Sequence, residues 1–369
     1  MTDFLNKNLI KEMILDSKNQ ADLYTGGNYW NYYEKNILKQ IEENDLTKFR
    51  SWSGGAGTGN IQSFGGGERQ TTRSFGKYFH PFDMKFSKID NFFLLKRYNS
   101  FINKLSAKFP FFSYFAFRTI EARQYYFDLQ KNYNNLLYSL TFNLDKDLLK
   151  ISDSTFGNPI GFYKDNKFYT NAFLEELGHV HYIKKNTDFD KIESIIELGA
   201  GIGLLASCLI KLKKDVKYLI VDIPPVSFFS EYYLRNLGFK VFGYNELKDI
   251  KNPNLNNIFK EYQVCCIPPW RLELLEDYKS DLFINVASFQ EMENEQSKNY
   301  INIFKKSVKN IYLNNSIMGA HKAFKKSKFG ALNPTTKLSL EDELKSNFNI
   351  TQSNDDEGRY KTMFLKKYL

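Results

Sequence analysis

The chain has 369 residues, a formal charge of +9, an apolar fraction of 42%, 34 Phe and 24 Tyr. This composition excludes a disordered or fibrous chain and leaves length for a core in each of two domains. The surplus of Lys reads either as a solvated basic surface or as attraction to an anionic partner, while the absence of zinc-finger spacing, an RNA-binding signature or an Arg-rich arm argues against specific recognition of nucleic acid.

Residues 1–150 show no alternation of strand and helix patterns. Helices are expected over 4–16, 29–43, 91–107 and 119–140. Between the second and third lies a glycine-rich loop at 53–67, which lacks the Lys-Ser/Thr of a phosphate-binding P-loop. It reads either as a surface connection or as a lid that carries Glu68, Arg69, Arg73 and His80 towards an acceptor. Arg69 and Arg73 suit a phosphate on an anionic carrier. A mainly helical acceptor-recognition region over 1–150 is therefore expected. The apolar stretch at 109–117 is too short to span a bilayer. The charged N-terminus carries no signal-peptide core. A cytoplasmic protein without a membrane span is expected. Cys208, Cys265 and Cys266 lack metal-ligand spacing and read as buried thiols of a reducing compartment.

From residue 151 the pattern changes. An amphipathic helix at 173–183 leads into strands at 192–198, 216–221, 239–244, 263–267, 281–287 and 309–314, with two more near 347–352 and 360–367. The order predicts an α/β, Rossmann-like domain over 151–369. Whether 239–244 or 263–267 is the third strand is open. The adenine contacts of a nucleotide-like ligand are open with it, and 262–270 is one candidate.

The run Glu197-Leu-Gly-Ala-Gly-Ile-Gly203 follows an apolar strand. Its glycines allow a sharp turn and close approach of a ligand. Leu204, Leu205, Cys208, Leu209 and Leu212 then repeat with helical spacing. The dinucleotide fingerprint needs its third glycine at 204, which is Leu204. The next strand closes on Asp222, where a βαβ unit places an acid that can accept hydrogen bonds from two ribose hydroxyls; Asp222 could equally be a helix N-cap. Strand, glycines, helix, strand and acid in this order look like the cofactor loop of class I S-adenosyl-L-methionine-dependent methyltransferases. The likeness implies a cofactor site made by Glu197, Gly199, Ala200, Gly201, Gly203, Asp222, Ile223 and Ser288.

The strand at 281–287 ends in Ser288-Phe-Gln-Glu-Met-Glu293. Strand ends near the switch in strand order host ligands in open α/β sheets. Methyl transfer to a hydroxyl needs alignment and benefits from a general base. Glu291 is the first candidate, and its alternative reading is an acid at a helix N-terminus. Gln290 can orient the acceptor. His321, after the fifth strand, is the second candidate base, ahead of His80, His179 and His181. Glu291, Glu293 and Glu295 are clustered acids, but no Asp-Asp pair accompanies them and no metal is expected.

Four segments together resemble bacterial sugar O-methyltransferases encoded with surface-polysaccharide genes. They are Glu197–Gly203, Val221-Asp-Ile-Pro-Pro225, Ile267-Pro-Pro-Trp270 and Ser288-Phe-Gln-Glu-Met292. The resemblance covers mainly 155–369. It implies a seven-stranded class I methyltransferase domain whose final pair includes an antiparallel strand. The implied acceptor is a sugar hydroxyl of a capsule, O-antigen or similar glycan, or its nucleotide- or lipid-linked precursor. Alternatives are a non-sugar acceptor (a small metabolite, a phosphoramidate-type capsule substituent or RNA) and a non-catalytic scaffold on the same fold. Retention of Glu197, the glycines and Asp222 speaks against the scaffold.

Overall fold

The structure, a computed structural model, describes residues 7–43, 45–51, 146–159, 162–164, 166–251, 253–319, 321–326, 330–355 and 361–367. The glycine-rich loop at 53–67, Glu68, Arg69, Arg73, His80 and the helices expected at 91–107 and 119–140 lie outside the described residues. The chain divides into two compact units, 1–42 with 179–369, and 43–178. The division falls elsewhere than the expected boundary near 150, because the first helix and nearly all of the second belong with the sheet.

The unit 43–178 contains an antiparallel hairpin of β1 (Phe162–Lys164) and β2 (Lys167–Tyr169). Its described polar centre is Arg50, whose guanidinium donates to Asp153 at 2.7 Å, with Thr170 donating to the same carboxylate. Burial alone would raise the Asp153 carboxyl, but Arg50 and the hydrogen bonds hold it below its ordinary value.

The other unit begins with α1 (Lys7–Lys18), which buries Leu9, Ile10, Met13 and Ile14 on one face, and α2 (Gly27–Glu43). The helix α3 (Asn171–Asn186) belongs to this unit from His179 onward. Then follow β3 (Ser194–Leu198), α4 (Leu204–Leu212), β4 (Lys217–Val221), α5 (Val226–Asn236) and β5 (Val241–Phe242). Two short helices, α6 (Tyr244–Lys248) and α7 (Leu255–Glu261), precede β6 (Val264–Ile267) and β7 (Ser280–Val286). The chain continues through α8 (Asn294–Phe304), β8 (Val308–Asn315), α9 (Lys337–Leu344), β9 (Phe348–Asp355) and β10 (Lys361–Lys367).

These strands form one eight-stranded sheet in the order β5-β6-β4-β3-β7-β8-β10-β9. β10 runs antiparallel to both neighbours, and the strands from β5 to β8 are parallel. This is a Rossmann-like α/β sheet with one strand more than the seven expected. The open question of the third strand is settled by pairing: β6 pairs with β4 over Tyr218 to Val221, while β5 adds two residues outside β6. The inner strands are apolar on both faces, as parallel strands covered by helices require. Ile196, Leu198, Leu219, Val221, Phe283 and Leu313 are all in the core. All three cysteines are buried and free. Among the described residues no helix is long and apolar enough to cross a membrane.

The order of strands changes direction at β3. The chain goes from β3 outward to β4 and β6 on one side, then returns to β7 and β8 on the other. The loops after β3, β4 and β7 therefore meet at the carboxyl edge of the sheet, beside this switch point.

Candidate functional site

Gly199, Gly201 and Gly203 all have left-handed backbone conformations, with φ of 76°, 60° and 77°. The first two serve different purposes. A Cβ on Gly199 would overlap the Ser288 side chain, so this glycine lets the end of β7 close on the end of β3. A Cβ on Gly201 would meet nothing within 4 Å, so the loop here presents bare backbone to open space. Gly203 precedes α4, whose first N–H groups and dipole lie at the same edge.

Asp222 is 6% exposed. Its carboxylate accepts the Gly201 N–H at 3.1 Å and the Ile223 N–H at 2.8 Å, with the Ala200 N–H as a further donor. The end of β4 is thereby tied to the glycine loop. The N-cap of α5 is Pro225, so Asp222 does not cap that helix. Burial pushes the Asp222 carboxyl up to about 8; backbone N–H groups oppose this and the charge of Glu197 adds to it. Glu197 is buried on β3, where the Tyr218 hydroxyl donates to it at 2.7 Å. Burial raises Glu197 to about 7 against the pull of that hydrogen bond.

The end of β7 is held by a buried amide network. Asn285 donates to Leu198 O at 2.9 Å, and its carbonyl accepts from Phe289 N–H and from the Asn315 amide, each at 3.0 Å. Asn315 in turn accepts the Gln290 N–H at 3.2 Å. These bonds join the ends of β3, β7 and β8 to one another. Ala287 follows β7 with φ of 54°, a conformation that costs an L-residue roughly 1–2 kcal/mol. Such outliers mark places where the surroundings impose a shape. Gln290, expected to orient an acceptor, is 9% exposed, and its carbonyl accepts the Ser316 N–H at 2.6 Å. Its side-chain oxygen thus serves the junction of β7 and β8.

Glu291 ends the 3-10 turn Phe289–Glu291 and is half-buried. The first acid of α8 is another residue, because Glu293 is its N-cap. Tyr29 and Trp30, in the first turn of α2, favour the charged form of the Glu291 carboxyl. Burial pushes Glu291 up to about 8, Tyr29 and Trp30 oppose this, and the charge of Asp222 adds to it. Asp222 thus feels Glu197, and Glu291 feels Asp222. Among the described residues no Lys or Arg pairs with any of the three carboxylates.

The remaining candidates lie apart from this cluster or are otherwise engaged. His321 is exposed, and its carbonyl accepts the Ala331 N–H at 3.0 Å. His179 is half-buried, with Nδ1 2.8 Å from the Tyr312 hydroxyl, and desolvation lowers it to about 4. Glu293 accepts the N–H groups of Leu332 and Asn333, each at 2.8 Å, while Glu295 is exposed, so these acids do not converge with Glu291. Among the described residues no three His, Cys, Asp or Glu side chains are grouped to hold a metal ion.

Tyr29, Trp30, Asn285 and Asn315 are site residues that sequence reasoning missed. Asn285 left a signal, since it is a lone amide inside an apolar strand run. Tyr29 and Trp30 left none, for nothing in their neighbourhood of sequence points to a strand end so far along the chain.

No protein-family model matches the chain, and no curated protein matches it in sequence. Over 54% of its length the chain is similar to 57% of mitomycin 7-O-methyltransferase MmcR, at 10% identity and a TM-score of 0.36. It is similar to human N-acetylserotonin methyltransferase in complex with SAM, at 14% identity and a TM-score of 0.35, over 54% of each chain. It is also similar to magnesium protoporphyrin IX methyltransferase from Synechocystis PCC 6803 with bound SAM, at 11% identity and a TM-score of 0.34, over 53% of this chain and 79% of that one. The matched part spans a little over half the length of MmcR, 57% of it.

Proposed function

We propose that the chain is an S-adenosyl-L-methionine-dependent O-methyltransferase whose acceptor is a sugar hydroxyl of a bacterial surface glycan or of its nucleotide- or lipid-linked precursor. One observation carries the donor. Three neighbouring carboxylates, Glu197, Asp222 and Glu291, gather without a cationic partner among the described residues, around a loop whose Gly201 faces open space. Uncompensated buried acids are costly unless a cation arrives. A ligand carrying a sulfonium and an ammonium meets that need, and Gly201 leaves room for its close approach.

When bound, S-adenosyl-L-methionine supplies a methyl group on positively charged sulfur, open to in-line attack by an oxygen nucleophile. Gly199, Ala200, Gly201 and Gly203 shape the loop, with Ile223 beside Asp222 and Ser288 packed on Gly199. Asp222 holds the loop and offers its free lone pairs to ribose hydroxyls. Glu291 takes the proton of the acceptor hydroxyl. Its carboxyl, raised to about 8, lies near the pH at which a general base works best. In the ligand-free protein it is largely protonated at neutral pH, and a cation beside Asp222 favours its ionised form.

The sugar acceptor is supported by the motif resemblance, above all Ser288-Phe-Gln-Glu-Met292. The acceptor and its anionic carrier are assigned to Glu68, Arg69 and Arg73, with the net charge of +9 favouring an anion. Calorimetry with S-adenosyl-L-methionine tests the donor. Mass spectrometry of surface glycans from cells with and without the protein tests the acceptor: a difference of one methyl group supports a glycan, and identical glycans refute it.

A further inference from the structure

We infer that the loop between β8 and α9 docks the chain on an anionic lipid surface, with Phe324 as the inserted side chain and Lys322, Lys325 and Lys326 as the contacts to lipid headgroups.

The loop is fastened to the body of its unit. Its two arms lie backbone to backbone: the Ala323 N–H donates to Ala331 O at 2.7 Å, and the Ala331 N–H donates to His321 O at 3.0 Å. Gly330, with φ of 111°, allows this approach, because a Cβ there would collide with His321 O. Asn28 donates to Gly330 O at 2.7 Å. The returning arm is tied down by Glu293, which accepts the Leu332 and Asn333 N–H groups, and by the Thr335 N–H, which donates to Met292 O at 3.1 Å. At the base of the loop the Lys337 N–H donates to Ile317 O at 2.9 Å, and Met318 and Leu338 each adjoin a member of this pair.

This backbone holds apolar side chains out in water. Phe324 is 98% exposed, Met318 75% and Leu338 71%. Single exposed apolar residues are ordinary on a protein surface. Here, however, the three most exposed large hydrophobics among the described residues all fall between 318 and 338. A Phe that packs on nothing adds nothing to the core, while leaving water remains favourable for it.

Charge selects the occupant. Lys322, Lys325 and Lys326 are exposed on both sides of Phe324 in sequence, and the stretch from Ser316 to Leu338 holds no Asp or Glu. A second copy of so basic a loop would be repelled. At a membrane, anionic lipids attract lysines close to the surface. The lysine stems can lie along apolar groups with their ammonium ends among the headgroups, and a Phe reaches the boundary with the acyl chains. The loop leaves β8 at the carboxyl edge of the parallel strands, the edge that carries Gly201 and Asp222. Docking through it turns that edge towards the lipid. Under the proposed function this favours a lipid-linked acceptor, but the docking itself does not depend on that function.

The experiment sediments the full chain with vesicles of phosphatidylcholine alone and of phosphatidylcholine mixed with phosphatidylglycerol. Binding to the mixed vesicles only is expected, and added salt should weaken it. Phe324→Ser should weaken it about tenfold. Replacing Lys325 and Lys326 with Ala should weaken it roughly fivefold for each lysine. These side chains are exposed, so melting temperatures should not move. Failure to bind the mixed vesicles overturns the inference. So does binding that Phe324→Ser leaves unchanged, which would mark a general polyanion surface, such as one for RNA. S-adenosyl-L-methionine affinity, measured by calorimetry on the same chains, should be unaltered by Phe324→Ser. A wild-type chain that binds the vesicles but no S-adenosyl-L-methionine refutes the proposed function and leaves the docking standing.

Discussion

Asp222 accepts the Gly201 N–H at 3.1 Å, which ties the acid at the end of β4 to the turn at the end of β3. The loop's bare backbone and the acid's buried charge are thus parts of one structure, on the two sides of a parallel strand pair. Removing the acid should cost both loop order and charge. Asp222→Ala is expected to weaken S-adenosyl-L-methionine binding by about 1.5–3 kcal/mol, the range for a hydrogen bond to a charged group. Calorimetry measures it, and unaltered affinity would deny Asp222 a place in the site.

The two glycines should respond differently to alanine. Gly201→Ala places a Cβ in open space and costs only its left-handed backbone, roughly 1–2 kcal/mol. Gly199→Ala adds a collision with Ser288 and should cost about 1–3 kcal/mol more, the usual penalty of overpacking. Urea unfolding of both variants checks the order. Equal losses would mean that the β7 end yields easily.

Asn285 should be a stability residue of the site. Its replacement by Ala leaves Leu198 O, Phe289 N–H and the Asn315 amide short of a partner. An orphaned buried polar group costs about 1–3 kcal/mol. Denaturant melts of Asn285→Ala should show at least that loss, and hydrogen exchange should rise first at 287–291.

Much of the site was legible in residues close together in sequence. The apolar run into Glu197, the glycines, the helical spacing from Leu204 and the acid at 222 describe one local βαβ unit, so the sequence alone could place them. Glu291 was legible as an acid at the end of a buried strand. What brings residues together across the chain was not. Gln296 donates to Asp22 O, 274 positions away, and nothing near either announces the other. The third strand was ambiguous because Val241–Phe242 and Val264–Ile267 are equally apolar; only pairing with β4 distinguishes them. Gln290 and His321 look as reactive in sequence as Glu291. One is engaged by Ser316 N–H, and the other is exposed.

Stability of the ligand-free protein should fall as pH rises from about 5 to about 8. Asp222 and Glu291 are raised to about 8 from 3.8 and 4.5. The folded state then holds more protons than the unfolded state between those values, so stability declines as pH rises towards 8. His179 is lowered to about 4 from 6.5, so in that window it opposes the trend by one proton, which the raised carboxyls of Asp222, Glu291 and Glu197 outweigh. Melting temperatures across pH measure the decline. Asp222→Asn should make it shallower.

The most direct measurement is calorimetric binding of S-adenosyl-L-methionine to the wild-type chain and to Gly201→Val, in two buffers of different ionisation enthalpy at pH 7. The cluster of Glu197, Asp222 and Glu291 predicts that the wild type binds and releases protons as its raised carboxyls ionise beside the cation. S-adenosylhomocysteine, with neutral sulfur, should release fewer. A side chain at Gly201 occupies the space where the ligand must approach and should abolish binding of both. A folded Gly201→Val that binds S-adenosyl-L-methionine as tightly as the wild type, or binding without any proton release, would contradict this account of the site.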